Sequence, residues 1–164
     1  MITFKTNMGD IQIALDYENT PISARNFLKY CKEGFYEGTI FHRVIKGFMI
    51  QGGGMLPDMT EKEGHDVIVN EANRGGKNVE GTLAMARTMS PHSASCQFFI
   101  NVRDNSFLDF TAKTNDGWGY AVFGKVTQGM EIVKKIEKVK TRSYGEHDDV
   151  PKMAVIVEKV IVAE

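Results

Sequence analysis

Cysteine is scarce in this chain of 164 residues: Cys31 and Cys96 are the only two, far apart and in no C-x-x-C pair. Such usage describes no disulfide framework and predicts two reduced thiols in a cytosolic protein. An excess of one charge is missing too. Twenty Lys and Arg stand against 21 Asp and Glu, a formal −1, and no long run of like charge occurs. That balance supplies no field to draw the chain to nucleic acid or anionic lipid, and neither partner is expected. The opening MITFKTNMGD has no basic segment followed by an apolar one, so nothing in it marks the chain for export, and the cytoplasm is the expected compartment. Long apolar runs are absent; AVIVEKVIVA near the end is broken by Glu158 and Lys159, which argues against a membrane span.

Two chemical motifs are also lacking. His42, His65, His92 and His147 show no H-x-x-x-H or other ligand spacing, so a metal site is not expected. There is no G-x-x-x-x-G-K-[ST], so Gly52, Gly53 and Gly54 are not a phosphate loop of that kind. Successive glycines in a strand instead mark a bulge or a close approach of backbone.

What is present reads as one mainly-β domain over residues 1–164, with no repeat or interdomain linker. Ile11, Ile13, Leu15 and Tyr17 alternate with polar or small residues after the turn Asn7-Met8-Gly9-Asp10, which predicts an opening hairpin. Thr20 suits a helix N-cap, Pro21 the first helical position and Gly34 the left-handed C-terminal position. Between them Ala24, Phe27, Leu28 and Cys31 form one apolar stripe. The segments TIFHRVI, FMIQGG, TLAMAR, QFFINV and YAVFGKV read as short strands, and residues 154–163 as a last one. A second helix is expected over Met130 to Glu137, burying Met130, Val133 and Ile136. Residues 55–81, poor in apolar side chains, read as a surface excursion. Strand periodicity leaves barrel and sandwich both open.

One strand carries an oddity. In TIFHRVI the period of two puts Phe41, Arg43 and Ile45 on one face, with His42 and Val44 on the other. Such an arginine either snorkels to solvent, pairs with an acid or edges an apolar groove. Met49 shares a face with Gln51, and Gln97 with Phe99, so that amides, rings and a guanidinium suit an uncharged peptide. A rival is a cysteine hydrolase built on Cys96 with His92 four residues before it; the plainer reading is that Cys96 opens the strand QFFINV.

The string FHRVIKGFMIQGGG, followed by GTLAMAR, SCQFFINV and AVFGKV, resembles the cyclophilins, and the likeness runs from GDIQI through NFLKYCKEGFY to the last strand. The resemblance implies a closed eight-stranded antiparallel β-barrel capped by two helices, with its active groove on the outer face. It implies peptidyl-prolyl cis–trans isomerase activity without metal or cofactor. Proline-containing peptides and unfolded or partly folded proteins would be the partners. Carried onto this sequence, the match makes Arg43 the catalytic side chain and Gln51 the residue that holds it, with Gln97 assisting. Phe48, Met49, Phe99 and Leu108 would form the proline pocket, and Ala86 with the backbone of Arg87 would line the groove before it. Phe107 stands where many eukaryotic relatives carry a pocket-edge tryptophan, Tyr120 where they carry a histidine, and Arg87-Thr88 where they often have Asn-Ala. This pattern resembles the bacterial cytoplasmic branch, and it implies weak binding of cyclosporin. A monomer is expected.

Overall fold

The structure is a computed structural model that describes residues 1–163. Its first two strands, β1 (Ile2–Thr6) and β2 (Gly9–Leu15), form the expected hairpin, with Ile2 opposite Ile13 and Phe4 opposite Ile11, all buried. Tyr17 departs from its predicted inward face. The strand ends at Leu15, Asp16 turns the chain by accepting from Asn19 N at 3.0 Å, and Tyr17 is left exposed.

Helix α1 (Pro21–Lys32) buries Ala24, Phe27 and Cys31, with Leu28 packed at the margin of the same core. Thr20 occupies the N-cap position but does not cap: its Oγ1 donates to Asp16 O at 2.9 Å. The orphan N–H groups go instead to Glu71, which accepts from Ser23 N at 2.7 Å and Ile22 N at 3.3 Å. A carboxylate is favoured there by the helix dipole. At the other end Gly34 takes φ +73°, its N–H reaching Cys31 O at 3.2 Å while Phe35 N reaches Tyr30 O at 3.0 Å. Paired bonds of this pattern close a Schellman motif, and the Tyr30 and Phe35 rings complete it with centroids 4.8 Å apart.

The remaining strands are β3 (Arg43–Ile45), β4 (Met49–Gly52), β5 (Thr82–Met85), β6 (Phe98–Asn101) and β7 (Val122–Gln128). After them come α2 (Met130–Glu137), a separate hairpin β8 (Thr141–Tyr144) and β9 (His147–Pro151), and β10 (Val157–Val162). Eight strands make one antiparallel sheet in the order β10-β1-β2-β7-β5-β6-β4-β3. The expected continuous closure does not occur, because no ladder joins β3 to β10. Gly38 is left-handed at φ +86°, and β3 begins only at Arg43. What crosses the seam is a few bonds between the segments before each edge: Gly38 N to Val157 O, Val157 N to Thr39 O and Phe41 N to Val155 O, at 2.7, 2.8 and 3.0 Å.

Two further expectations change, and one hairpin is new. TIFHRVI is a strand only from Arg43, so Phe41 is released from the parity of Arg43 and joins Val44 in the main core. Residues 55–81 are not all surface, since Met55, Asn70, Glu71, Ala72 and Asn78 are buried. The stretch that forms the β8–β9 hairpin carries no expectation from the sequence.

The curled sheet has two apolar layers. Val44, Ile50, Ile100 and Leu83 follow one another across β3, β4, β6 and β5 and face the main core beneath α1 and α2. The neighbouring register row, Arg43, Gln51, Phe99, Ala84 and Val122, faces the opposite way and carries a second, smaller cluster. Among the described residues no helix is long and apolar enough to cross a membrane.

Candidate active site

The second cluster consists of Met49, Ala84, Phe99, Leu108 and Val122, with Ile45, Phe48, Ala86 and Tyr120 packed against it. It floors an open groove of about 440 Å³ lined by Arg43, Phe48, Met49, Gln51, Ala86, Arg87, Phe99, Leu108 and Tyr120. Nine of the eleven residues named from the sequence therefore meet in one place. The other two sit at its margins. Gln97 faces an adjoining cavity of about 210 Å³ that shares Gln51, Ala86 and Arg87 with the groove. Phe107 is 73% exposed at the rim, stacked on Phe48 with centroids 5.7 Å apart.

Strand register explains the polar edge. Arg43 and Gln51 are direct partners across β3 and β4, and Arg43 Nη1 donates to Gln51 Oε1 at 3.4 Å. Gln51 Nε2 donates in turn to Gln97 Oε1 at 3.1 Å. Among the described residues Arg43 forms no ion pair, so its guanidinium edges the groove with most of its donors uncommitted. The glycine run leaves room for this chain of side chains. A Cβ on Gly54 would stand 2.5 Å from Gln97 Cγ, and one on Gly52 2.9 Å from Ile40 O. Close backbone approach is thus the role of those glycines.

Arg87 is held differently. Its Nε donates to Gly119 O at 2.9 Å, Nη1 to Thr88 O at 2.9 Å and Nη2 to Asn115 O at 3.3 Å, with the guanidinium 4.7 Å from the Tyr120 ring centroid. Held by these bonds, it braces the Tyr120 wall.

The sequence reading missed the facing wall. Glu146, His147, Asp148 and Asp149, at the tip and start of the β8–β9 hairpin, line the groove together with His42. The signal was present in Tyr144-Gly145-Glu146-His147: Tyr144 pairs with His147 and Gly145 has φ +60°, a two-residue hairpin turn. Burial, with help from the charges of His147 and Arg43, pushes the His42 imidazole down to about 4, and its Nδ1 has no hydrogen-bond partner. It is neutral at pH 7.

The hydrolase arrangement does not form. Cys96 is buried, and desolvation raises its thiol, which disfavours a thiolate. His92 is engaged elsewhere, Nδ1 accepting from Asn70 N at 2.9 Å and the ring packed on Trp118. Burial pushes Cys31 up as well. Among the described residues no group of three or more His, Cys, Asp or Glu gathers to hold a metal.

An outward groove on an antiparallel sheet, with rings for a floor and amides and a guanidinium for an edge, marks a β-protein chemically suited to an uncharged ring and its adjoining amide. The family described as cyclophilin type peptidyl-prolyl cis-trans isomerase/CLD matches residues 1–162. Peptidyl-prolyl cis-trans isomerase B of Escherichia coli (strain K12) is 57% identical over 164 residues, covering 100% of both chains. A peptidyl-prolyl cis-trans isomerase of Acinetobacter baylyi is 55% identical over 160 residues, 98% of this chain and 84% of that one. A crystal structure of a Cryptosporidium parvum cyclophilin type peptidyl-prolyl cis-trans isomerase, in the presence of the dipeptide Ala-Pro, superposes with TM-score 0.83 at 29% identity, covering 99% of this chain and 98% of that one. The chain belongs to the cyclophilin-type peptidyl-prolyl cis–trans isomerases, and is an enzyme of that class.

Proposed function

We propose that the groove binds proline-containing segments and that Arg43 speeds rotation of the X–Pro bond by stabilising its twisted form. The observation that carries this reading is the register row Arg43–Gln51–Phe99, which sets a guanidinium, steadied by an amide, beside the apolar floor. Rotation about a peptide bond must break resonance worth about 18–20 kcal/mol, and X–Pro bonds isomerise unaided over roughly tens to hundreds of seconds. No bond to a heavy atom is made or cut, so neither nucleophile nor general base is required. As the amide twists, the prolyl nitrogen becomes pyramidal and gains a lone pair. A donor aimed there holds the twisted form more tightly than either planar one, which lowers the barrier. Arginine suits the task because it stays protonated and presents a rigid fork.

Phe48, Met49, Phe99 and Leu108 would hold the ring while the preceding carbonyl turns. Ala86, Arg87 and Tyr120 would line the path of the residue before proline, with Phe107 at the rim. An acceleration of ~10⁵ would need about 7 kcal/mol. One charge-assisted hydrogen bond contributes about 1.5–3 kcal/mol. Orientation and exclusion of water by the pocket must supply the remainder.

The open groove and its uncharged amides support unfolded or partly folded proteins as clients. Helix stripes buried in the chain's own core support a single domain over residues 1–164 acting as a monomer. Two unpaired thiols support the cytoplasm as its compartment. Cyclosporin would bind weakly, since Phe107 offers no indole N–H.

The test is exchange spectroscopy on a bound X–Pro peptide, which yields the on-enzyme rotation rate and the dissociation constant from one sample. Arg43→Ala should cost roughly 10²–10³ in kcat/KM with little change in affinity, since the planar amide nitrogen is a poor acceptor. Arg43→Lys should recover little of it. Rotation of the bound peptide at the unmutated rate in Arg43→Ala would overturn the mechanism.

A further inference from the structure

Beneath the pocket floor lies a polar layer that the mechanism above does not use. Asn78, Asn101 and Asn105 are 1%, 0% and 2% exposed. Asn101 ends β6 directly opposite Met49 of the floor, two residues beyond Phe99 on the same strand. Its Nδ2 donates to Asn78 Oδ1 at 3.0 Å and Thr82 Oγ1 at 2.9 Å, while its Oδ1 accepts from Asn105 Nδ2 at 2.8 Å. The outer two asparagines reach backbone carbonyls of pocket residues. Asn105 Nδ2 also donates to Phe48 O at 2.9 Å, and Asn78 Nδ2 to Leu108 O and Tyr120 O, both at 3.3 Å. Asp109 fixes Asn78 by accepting from its N at 2.7 Å and its Nδ2 at 3.1 Å.

Taking the pocket as the proline site proposed above, we infer that Asn101, Asn78 and Asn105 are positioning residues that set the pocket's width by tying its three irregular walls to one hub. Phe48 lies in the turn before β4, Leu108 in a single 3-10 turn (Ser106–Leu108), and Tyr120 in the loop before β7. None of the three lies within a strand, and isolated backbone bonds hold them, among them Val102 N to Phe48 O at 3.1 Å and Tyr120 N to Leu108 O at 2.9 Å. The bonds grip the walls by their carbonyls, which leaves the side chains to shape the cavity. Stability alone does not call for this design. Apolar groups of similar shape can replace a buried polar pair at little net loss, whereas a fully satisfied network fixes one arrangement. Catalytic sites need such support because a loosened wall misplaces the reacting bond. Thr82 serves as an internal control, being a further acceptor of Asn101 that lines no part of the groove.

The experiment compares on-enzyme rotation of an X–Pro peptide with that of its six-membered pipecolyl analogue, alongside melting curves, for the unmutated protein, Asn105→Ala, Asn105→Ser and Thr82→Val. Cutting the arm to Phe48 widens the pocket, so Asn105→Ala should lower the proline-over-pipecolyl ratio by roughly three- to tenfold, the scale of one lost hydrogen bond. Asn105→Ser, which keeps one donor, should recover part of that ratio. Thr82→Val should melt earlier with the ratio unchanged. An equal shift in Asn105→Ala and Thr82→Val, or a shift in neither, overturns the positioning role and leaves the arginine mechanism standing, since that mechanism falls only on Arg43→Ala. If Asn105→Ala does not fold, Asn105→Ser carries the comparison, and an unmutated ratio there overturns the inference.

Discussion

Arg43 and Gln51 are register partners whose side chains meet at 3.4 Å, and the same glutamine donates from Nε2 to Gln97 Oε1 at 3.1 Å. An amide so placed can orient the guanidinium without neutralising it. Gln51→Ala should lower turnover by roughly tenfold, less than loss of Arg43 itself, and Arg43→Ala/Gln51→Ala should be little worse than Arg43→Ala. Gln51→Glu should slow rotation too, by pairing the guanidinium with a carboxylate. Rates for the double-mutant cycle decide the matter; additive losses would mean that Gln51 acts independently of Arg43.

The His42 imidazole makes stability depend on pH. A free imidazole protonates near 6.5 and the folded one at about 4, so between these values the unfolded chain binds the extra proton. Stability is therefore intact above pH 6.5 and lost as pH falls toward 4, by up to about 3 kcal/mol from this one ring. His42→Phe should flatten that slope in melting temperatures measured from pH 7 to pH 4. An unchanged slope would locate the acid sensitivity elsewhere.

Neither thiol takes part in the chemistry proposed. Cys96→Ala should retain full isomerase activity while losing roughly 1 kcal/mol of stability from the vacated volume. Both thiols should react slowly with a disulfide reagent in the folded protein, because burial raises each of them. A folded Cys96→Ala without activity would return the nucleophile to consideration.

Phe107 stands on Phe48 with its outer face in solvent. Phe107→Trp adds ring area and an N–H at this rim, and should tighten inhibition by cyclosporin about tenfold while changing peptide turnover little. Titrating both proteins with the drug checks this. Equal inhibition would show that the rim ring does not set that affinity.

The groove was legible where its residues obey strand parity. Met49 with Gln51 and Gln97 with Phe99 share faces by a rule that needs no tertiary information, and the register then brings Arg43 alongside. Parity failed at Phe41 because the strand had not yet begun there, and Phe41 turns into the core. Glu71 could not be read as a helix cap, since its partners lie at Ile22 and Ser23 in a different part of the chain. The asparagine layer was hidden for the same reason: Asn78, Asn101 and Asn105 look like loop formers until folding brings them together. TRSYGEHDDV lacks apolar alternation because most of its side chains stay in solvent, which left β8 and β9 without the usual signal.

Strand β1 lies between β2 and β10, so Ile2 has Ile13 on one side and Val162 on the other. During synthesis the first neighbour emerges at once and the second only after α2 and the β8–β9 hairpin. Until residues 157–162 leave the ribosome, β1 has a bare hydrogen-bonding edge. The sheet cannot be completed cotranslationally in order; its last ladder joins residues 2–6 to residues 157–162, a long-range pairing of the kind that slows folding. The enzyme's first strand thus waits on its last.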